Sequence, residues 1–326
     1  MNLVLDAMGG DHAPKAIIAG AVEAAPLIRG TITLVGDRAK LEHLLPRPTP
    51  ANLAIVHASQ VVEMEDKPLD ALRKKKDSSL AVGIDLVRSG DADAIVSAGN
   101  TGACTAGSLI SWRPLKGIHR PGIASHIPSG YGGFLLLDAG ASPDVDPESM
   151  LEFGLMGREY ARLVLGRPDP KVHLLNIGEE EGKGNAFAKQ AFTLLKHHDW
   201  FAGNIEGKDL FRTQTDVVVC DAFVGNIVLK TAEGVAEFIL GSIKSSVPAN
   251  PLARLPYLPL RNLLAPLRKQ MDYAEYGGSP LLGLNGLMMI CHGRSNAKAI
   301  KNALLNAQTA VEARLVETIR ERLTVV

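Results

Sequence analysis

Short apolar segments alternate along the chain with longer segments of mixed polarity. The apolar segments are rich in β-branched residues, which is typical of buried strands. The pattern predicts strands over 2–5, 31–35, 53–57, 94–97, 134–137, 172–175, 217–220 and 287–291. Helical spacing predicts helices over about 14–25, 81–87, 147–164, 225–243 and 297–323, and two more that end near 45 and 110. We therefore expect an α/β fold with a mostly parallel core.

Five of the predicted strands end in turns rich in Gly, Asn, Asp and Ser. These turns cover 6–11, 97–103, 138–142, 176–184 and 221–226. In an open parallel sheet the carboxyl ends of the strands lie along one edge, so the turns should converge on one crevice. A helix opened by Gly225 and Asn226 would present free backbone N–H groups to an anion there. An ordinary strand-to-helix connection is the alternative interpretation of this last turn.

Composition excludes several classes of protein. The 326 residues contain 35 basic and 35 acidic side chains, so no global field favours nucleic acid. The three cysteines are far apart, which argues against a disulfide framework or a structural zinc site, and no other metal-ligand cluster is visible. Without a signal-like segment or an apolar stretch near 18 residues, we expect a cytoplasmic protein.

Two segments suggest contact surfaces. The basic run Arg73–Lys76 is either a solvated helix end or a docking spot for an acidic partner. No acidic residue lies between Phe238 and Met271, and this stretch predicts an amphipathic protrusion at about 243–272. It fits a dimer contact, an interfacial helix on anionic lipid, or a surface hairpin. The residues predicted to make the contact are Leu260, Arg261, Leu263, Leu264, Leu267 and Arg268.

A set of motifs in a fixed order carries a family resemblance. The motifs are Asp6–Asp11 with Pro14, Lys75–Ser79, Ser97–Ala103, Asn176–Gly184, Gly203–Gly207, Asp221–Asn226, Tyr276–Gly278 and His292–Gly293. With them the sequence resembles, nearly end to end, the phosphate acyltransferases of bacterial phospholipid synthesis. Two positions depart from the family pattern: Ala222 stands where Gly is usual, and Ser142 where Asn is usual.

The resemblance implies a fold, a reaction and partners. The fold is a three-layer α/β/α relative of phosphotransacetylase and isocitrate dehydrogenase, here a single domain over 1–326 with the protrusion. The reaction transfers a long-chain acyl group reversibly from acyl-acyl carrier protein to inorganic phosphate, without a cofactor. The resemblance also implies a homodimer attached peripherally to the inner membrane face, and hand-off of acyl phosphate to a glycerol-3-phosphate acyltransferase.

Direct attack of phosphate on a thioester requires a cradle for phosphate, a cation and donors for the oxyanion. Glycine-rich turns bring backbone N–H groups close to an anion. The predicted phosphate or substrate residues are Asp6, Gly9, Gly10, Asn100, Thr101, Gly102 and Gly225. Lys183, between two glycines, is the predicted catalytic cation, and a surface lysine paired with Glu180 or Glu181 is the alternative.

Three further residues are candidates for catalysis. Asn226 is predicted to donate to the oxyanion or to phosphate, with an ordinary helix cap as the alternative. Asp221 would orient Lys183 or Asn226, or only stabilise its turn. His292 would protonate the departing thiolate, or have no chemical role.

Other mechanisms and functions fit the sequence less well. An acyl-cysteine intermediate on Cys104 or Cys291 is disfavoured, because neighbours on a strand, such as Cys291 and His292, point to opposite faces. A nicotinamide-dependent dehydrogenase would need Gly-x-Gly-x-x-Gly after the first strand, which instead ends in Met8-Gly-Gly-Asp11. A noncatalytic membrane scaffold for lipid synthesis is the other alternative.

Overall fold

The computed structural model describes residues 1–246 and 272–323. The strands, β1 to β12 in order, are Asn2–Asp6, Thr31–Gly36, Leu53–His57, Ala94–Ser97, Gly122–Ile123, Ser125–Ile127, Phe134–Leu137, Val172–Asn176, Phe201–Glu206, Val217–Val219, Ser279–Leu282 and Leu287–Ile290. The helices, α1 to α11 in order within the described residues, are Lys15–Ala24, Arg38–Leu44, Pro68–Lys74, Ser79–Ser89, Thr101–Trp112, Glu148–Leu163, Ala186–Leu195, Ala222–Ser245, Tyr273–Tyr276, Ala297–Glu312 and Leu315–Leu323. A 3₁₀ turn, Ala25–Leu27, follows α1.

The strands form two sheets. The first sheet has seven strands in the order β3-β2-β1-β4-β12-β11-β5, and the second has five in the order β6-β7-β10-β8-β9. All neighbours in the first sheet are parallel except around β11, and in the second sheet only β6 and β7 are antiparallel. The predicted α/β fold with mostly parallel pairing is confirmed, but the five turns are shared between two sheets and do not lie along one edge.

The chain passes from one sheet to the other at β5 and β6. Only Ala124 separates these strands, and each is an edge strand of its sheet. The backbone N–H of Ile123 donates to Oδ1 of Asp138 at 3.0 Å, and the N–H of Ala139 donates to the carbonyl of Ile123 at 2.9 Å. The turn after β7 in the second sheet is therefore bonded directly to the edge of the first sheet.

The central strands are buried on both faces, which explains why they appear as continuous apolar runs. Leu3 and Leu5 of β1 belong to one hydrophobic cluster, while Val4 between them belongs to another on the opposite face. Helices α1 and α10 cover the first face and approach closely at Gly20, where a Cβ would lie 2.6 Å from Cβ of Ile300. Layers of helix on both faces of the sheet follow.

Within the described residues, the structure adds four strands and three helices, α3, α7 and α9, to those predicted, and it divides one predicted helix in two. β5, β6, β9 and β11 were not predicted, since they are short or carry Gly, Asn or Pro. The predicted helix 297–323 is two helices, because Arg314 takes a positive φ of 51° and interrupts it. Among the described residues no helix has the length and apolar character that crossing a bilayer requires. The contact residues predicted within 260–268 lie outside the described residues.

Candidate active site

Three turns at the carboxyl edge of the first sheet are bonded to one another. They follow β1, β4 and β12, which are near neighbours in the sheet. The hydroxyl of Ser97 donates to Oδ2 of Asp6 at 2.7 Å, and the N–H of Asp11 donates to the carbonyl of Gly293 at 2.8 Å. We call 6–11, 97–100 and 292–295 the first-sheet turns. They bring together Asp6, Gly9, Gly10, Asn100 and His292 from the predicted site.

The glycines of the first turn are required by this close packing. A Cβ on Gly9 would lie 2.5 Å from Oδ2 of Asp6 and 2.9 Å from the backbone nitrogen of Gly99. Gly10 has a φ of 105°, and a Cβ there would lie 3.0 Å from the carbonyl oxygens of Ala98 and Gly293. Side chains are therefore excluded by backbone atoms of neighbouring turns, whether or not an anion binds.

Asp6 is almost completely buried beneath these turns. Burial raises the pKa of Asp6, while hydrogen bonds from Ser79 and Ser97 oppose the shift. Through its bond with Ser97, Asp6 anchors the turns after β1 and β4 to each other.

Asn100 is held by the protein on both sides of its amide. Its Oδ1 accepts from the N–H of Ala103 at 3.0 Å and caps α5, and its Nδ2 donates to the carbonyls of Met64 and Asp66 at 2.8 and 3.1 Å. Thr101 and Gly102 are exposed in the first turn of α5. Of the three, Thr101 and Gly102 are therefore better placed than Asn100 to meet a ligand.

Asp138 organises the turn after β7 in the second sheet. Its buried carboxylate accepts from the N–H groups of Ile123, Gly140, Ala141 and Ser142 at 2.8–3.0 Å. Burial is the main effect on the pKa of Asp138 and raises it, while these four bonds oppose the shift. The sequence marked this turn by its composition, but nothing in the pattern showed that the aspartate would fold inward.

Helix α8 packs directly on that turn. Asp221 caps the helix by accepting from the N–H of Val224 at 3.0 Å. A Cβ on Gly225 would overlap the carbonyl oxygen of Asp138, so only glycine fits. The helix begins at Ala222, which has no positive φ, and Gly225 and Asn226 therefore lie inside its first turn. The predicted start of the helix at Gly225 and Asn226 is therefore three residues too late, and the capping residue is Asp221, not Asn226.

One face of α8 is polar and connects the two sheets. Asn226, Lys230, Glu233 and Glu237 recur at helical spacing on this face. Oδ1 of Asn226 lies 4.0 Å from the position of a Cβ built on Gly140. Nζ of Lys230 lies 2.9 Å from Glu233, and Glu237 pairs with Arg294 at 2.6 Å. The polar face of α8 therefore runs from the turn of the second sheet to the first-sheet turns.

His292 faces the cations of this arrangement. Burial and the nearby charges of Lys230 and Arg294 lower the pKa of His292, while Glu233 and Asp11 oppose the shift. Its Nδ1 accepts from the backbone N–H of Arg294 at 3.2 Å, which places the proton of the neutral ring on Nε2. A lowered pKa weighs against a protonated acid at neutral pH, but Nε2–H can still donate a hydrogen bond.

Lys183 lies in the loop after β8, in the second sheet. Its Nζ is 3.8 Å from Glu180, and both side chains are more than half exposed. The pairing is the one that the alternative interpretation predicts. An exposed pair of this kind contributes only about 0–1 kcal/mol, so it would compete weakly with a bound anion. No contact of Lys183 with Asp221 or Asn226 is found among the described residues.

The loop of Lys183 does approach the turn of Asp221. Asn185, which caps α7, lines a cleft of about 310 Å³ together with Asp221, Asp144 and Asp146. Three carboxylates in the lining make this cleft unsuited to phosphate. The shared lining nevertheless shows that the loop after β8 and the turn after β10 are neighbours.

The cysteines are unsuited to nucleophilic catalysis. Cys104, Cys220 and Cys291 are all buried. Burial raises the pKa of Cys104 and of Cys291 to about 12, and that of Cys220 well above its ordinary value. Because the thiolate is the reactive form, the acyl-cysteine mechanism is disfavoured.

Comparison with known proteins agrees with this architecture. A family model described as "Fatty acid synthesis protein" matches residues 1–318. A phosphate acyltransferase from Desulfitobacterium hafniense is 47% identical over 326 residues, which covers 99% of this chain and 98% of the relative. The chain belongs to the phosphate acyltransferase family. A second family member, from Desulforamulus reducens, is 48% identical over 329 residues, with coverage of 99% and 97%.

Solved structures support the fold at lower identity. A phosphotransacetylase from Streptococcus pyogenes superposes with a TM-score of 0.62 at 17% identity, covering 96% of this chain and 94% of that one. The predicted relation to the phosphotransacetylase fold is confirmed. The predicted acyltransferase class also agrees with the names of the phosphate acyltransferase relatives.

The sequence interpretation missed Lys230 and Asp138 in this phosphate acyltransferase family member. Lys230 could have been predicted from the sequence, because it follows Asn226 by four residues in a predicted helix and must share its face. For Asp138 the sequence offered only its position at the end of a strand. The roles of the remaining candidates stay predictions.

Proposed function

We propose that this protein transfers a long-chain acyl group from acyl-acyl carrier protein to inorganic phosphate, reversibly, giving acyl phosphate and the free carrier thiol. The observation that carries the proposal is the polar face of α8. It holds an amide, Asn226, near the turn of Asp138, and a cation, Lys230, near the imidazole of His292. These are donors and positive charge without a protein nucleophile, as direct attack of phosphate requires.

The proposed reaction has a simple balance of bonds. A phosphate oxygen supplies the electron pair that forms the new C–O bond at the thioester carbonyl. The tetrahedral intermediate collapses, the C–S bond breaks with its electrons on sulfur, and the thiolate takes a proton from solvent. Asn226 and Nε2–H of His292 would donate to the oxyanion, while Lys183 and Lys230 would offset the charge of phosphate.

Direct assay of the product tests this function. The purified protein is incubated with palmitoyl-acyl carrier protein, with and without inorganic phosphate, and acyl phosphate is trapped with hydroxylamine. We expect hydroxamate only when both enzyme and phosphate are present. Absence of product with retained binding of the carrier protein would favour the noncatalytic scaffold.

We also propose that the protein forms a homodimer in the cytoplasm and contacts anionic membrane, where its product would pass to a glycerol-3-phosphate acyltransferase. A second face of α8 supports an apolar contact, since Phe223, Ile227, Val235 and Phe238 are 51–73% exposed. Sedimentation equilibrium tests the dimer, and flotation with anionic vesicles tests the lipid contact. The variant Phe238→Glu should weaken at least one of them; unchanged behaviour in both would contradict a contact through this face.

A further inference from the structure

Residues 59–78 form a segment beside the first-sheet turns, and hydrogen bonds hold its backbone in one conformation. The N–H of Gln60 donates to the carbonyl of Asp77 at 3.0 Å, and the N–H of Ser79 donates to the carbonyl of Gln60 at 3.2 Å. The amide of Asn100 holds the middle of the segment through Met64 and Asp66. We call 59–78 the platform. The backbone bonds join its two ends, and the bonds from Asn100 hold its middle.

The platform reaches the candidate active site. A Cβ built on Gly293 would lie 3.0 Å from Cε of Met64 and 3.4 Å from Oδ1 of Asp11. Pro68, at the start of α3, would lie 2.6 Å from a Cβ on Gly102 in the first turn of α5. A partner bound to the platform would therefore stand next to the turns that the proposed substrate must reach.

Helix α3 divides into a packed face and an exposed face. Pro68 and Leu72 contact the glycines of α5, and Ala71 is buried with them. Leu69 is 53% exposed, and Arg73, which follows it by four residues, shares its face. Lys74 and Lys76 are exposed next to Arg73.

Charge is separated along the platform. The acidic residues Glu63, Glu65 and Asp66 lie before α3, Asp70 lies in its first turn, and the basic run begins at Arg73. Lys75 is neutralised by Asp66 at 2.5 Å. Within the described part of the chain, Arg73, Lys74 and Lys76 form no ion pair. The last turn of α3 and the residues just after it therefore present three cations without an ion pair in the described structure, and one apolar side chain. The helix dipole also favours Arg73 and Lys74 in that last turn.

We propose that Leu69, Arg73, Lys74 and Lys76, the α3 docking surface, bind an acidic face of the protein that carries the acyl group. The inference rests on the proposed function, because it identifies how that substrate is held. Complementary charge speeds and orients the encounter with such a partner, and like charges facing each other would oppose binding. A lipid surface fits less well, since binding in a bilayer interface requires a broad apolar face and α3 offers a single exposed leucine.

Charge reversal tests the docking surface. We compare the wild type with R73E/K74E by the anisotropy of labelled acyl carrier protein and by the KM for acyl carrier protein substrate. We expect both Kd and KM to rise at least about tenfold in the variant, because two attractive charges become repulsive. Turnover with a carrier-free acyl-pantetheine thioester should be unchanged, which also shows that the variant folds.

A matched control reverses two exposed charges at the opposite edge of the first sheet. Arg88 ends α4 before β4, and Lys116 follows the end of α5. R88E/K116E has the same net charge as R73E/K74E, so a nonspecific effect of net charge on carrier binding would be equal in both variants. We expect carrier binding of the control to match the wild type.

Several outcomes would overturn the α3 docking surface. They are unchanged carrier binding in R73E/K74E, an equal loss in the control, an equal loss of turnover with the carrier-free thioester, or loss of binding to anionic vesicles with carrier binding intact. Failure of the proposed reaction would look different. The wild type would bind the carrier, R73E/K74E would not, and neither would form acyl phosphate.

Discussion

The first-sheet turns and helix α8 use glycine for the same purpose but present different groups. Gly9 and Gly10 let the backbones of neighbouring turns come into contact. The carboxyl group of Asp6, which lies between those turns, is buried. Gly225 lets α8 meet the turn of Asp138, yet the same helix leaves Asn226 and Lys230 accessible. Glycine-rich turns are thus explained largely by packing, and the groups available to a substrate lie mainly on the helix.

The largest effect should come from Gly225→Ala. Its Cβ would overlap the carbonyl of Asp138, and the backbone on both sides is held by hydrogen bonds. We expect the free energy of unfolding to fall by about 3 kcal/mol, measured by urea denaturation. Gly234→Ala in the same helix is the control, because no other group lies within 4 Å of its Cβ position among the described residues. That variant should gain up to about 1 kcal/mol from helix propensity.

The contribution of the loop after β8 is tested by Lys183→Ala. If Lys183 leaves Glu180 for phosphate, its loss should lower turnover by about 100-fold, the usual scale for a positioned electrostatic group. Lys196→Ala is the matched control, since Lys196 pairs with Glu181 beside the same loop. Equal activity of the two variants in the hydroxamate assay would leave Lys183 as a surface lysine.

Removal of the cation on α8 should have a smaller effect that is specific to phosphate. For Lys230→Ala we expect the KM for phosphate to rise about tenfold, because one partly exposed charge contributes about 1.4 kcal/mol to anion binding. Lys230→Arg should recover most of the affinity. A rise confined to the KM for the acyl donor would place Lys230 elsewhere in the mechanism.

The smallest effect concerns the pH dependence given by His292. Its pKa is lowered, so the ring stays neutral as pH falls through its ordinary value near 6.5 and gains a proton only below that. The ratio of wild-type to His292→Gln activity should be constant above about pH 6.5 and fall at more acid pH, because a proton on Nδ1 removes the hydrogen bond from Arg294 that orients the ring. Ionisation of phosphate affects both proteins and cancels in the ratio. A rising ratio at acid pH would instead support a protonated acid.

The same shift sets the sign of the stability change. The unfolded chain takes up a proton at His292 near pH 6.5, whereas the folded chain resists it to lower pH. The contribution of His292 to the free energy of unfolding should therefore decrease as pH falls through this window. His292→Gln should remove that part of the acid sensitivity in urea denaturation curves.

Sequence pattern was most informative where burial on two faces forces a run of apolar residues. β3, β4 and β7 have the predicted bounds, and the other predicted strands differ by one residue. The edge strands could not be predicted in this way, since β11 includes Pro280 and β5 has only two residues. Their pairing is decided by what lies beside them in the sheet.

Within the candidate site, the sequence predicted the turns but not their grouping. It placed Asp6, Gly9, Gly10 and His292 in turns that do meet, and it placed Lys183 in a loop that contacts none of them in the described structure. The relevant information is which strands are neighbours. β1, β4 and β12 are distant in sequence and adjacent in the first sheet.

The pattern of residues was enough to predict the class of fold, most strands and the chemical types gathered in the turns, because period and composition are local properties. That two sheets share those turns, that Asp138 folds inward and that Lys230 lies near His292 is visible only in the folded chain. These facts depend on contacts between residues far apart in the chain. Such contacts are set by packing, which no local pattern records.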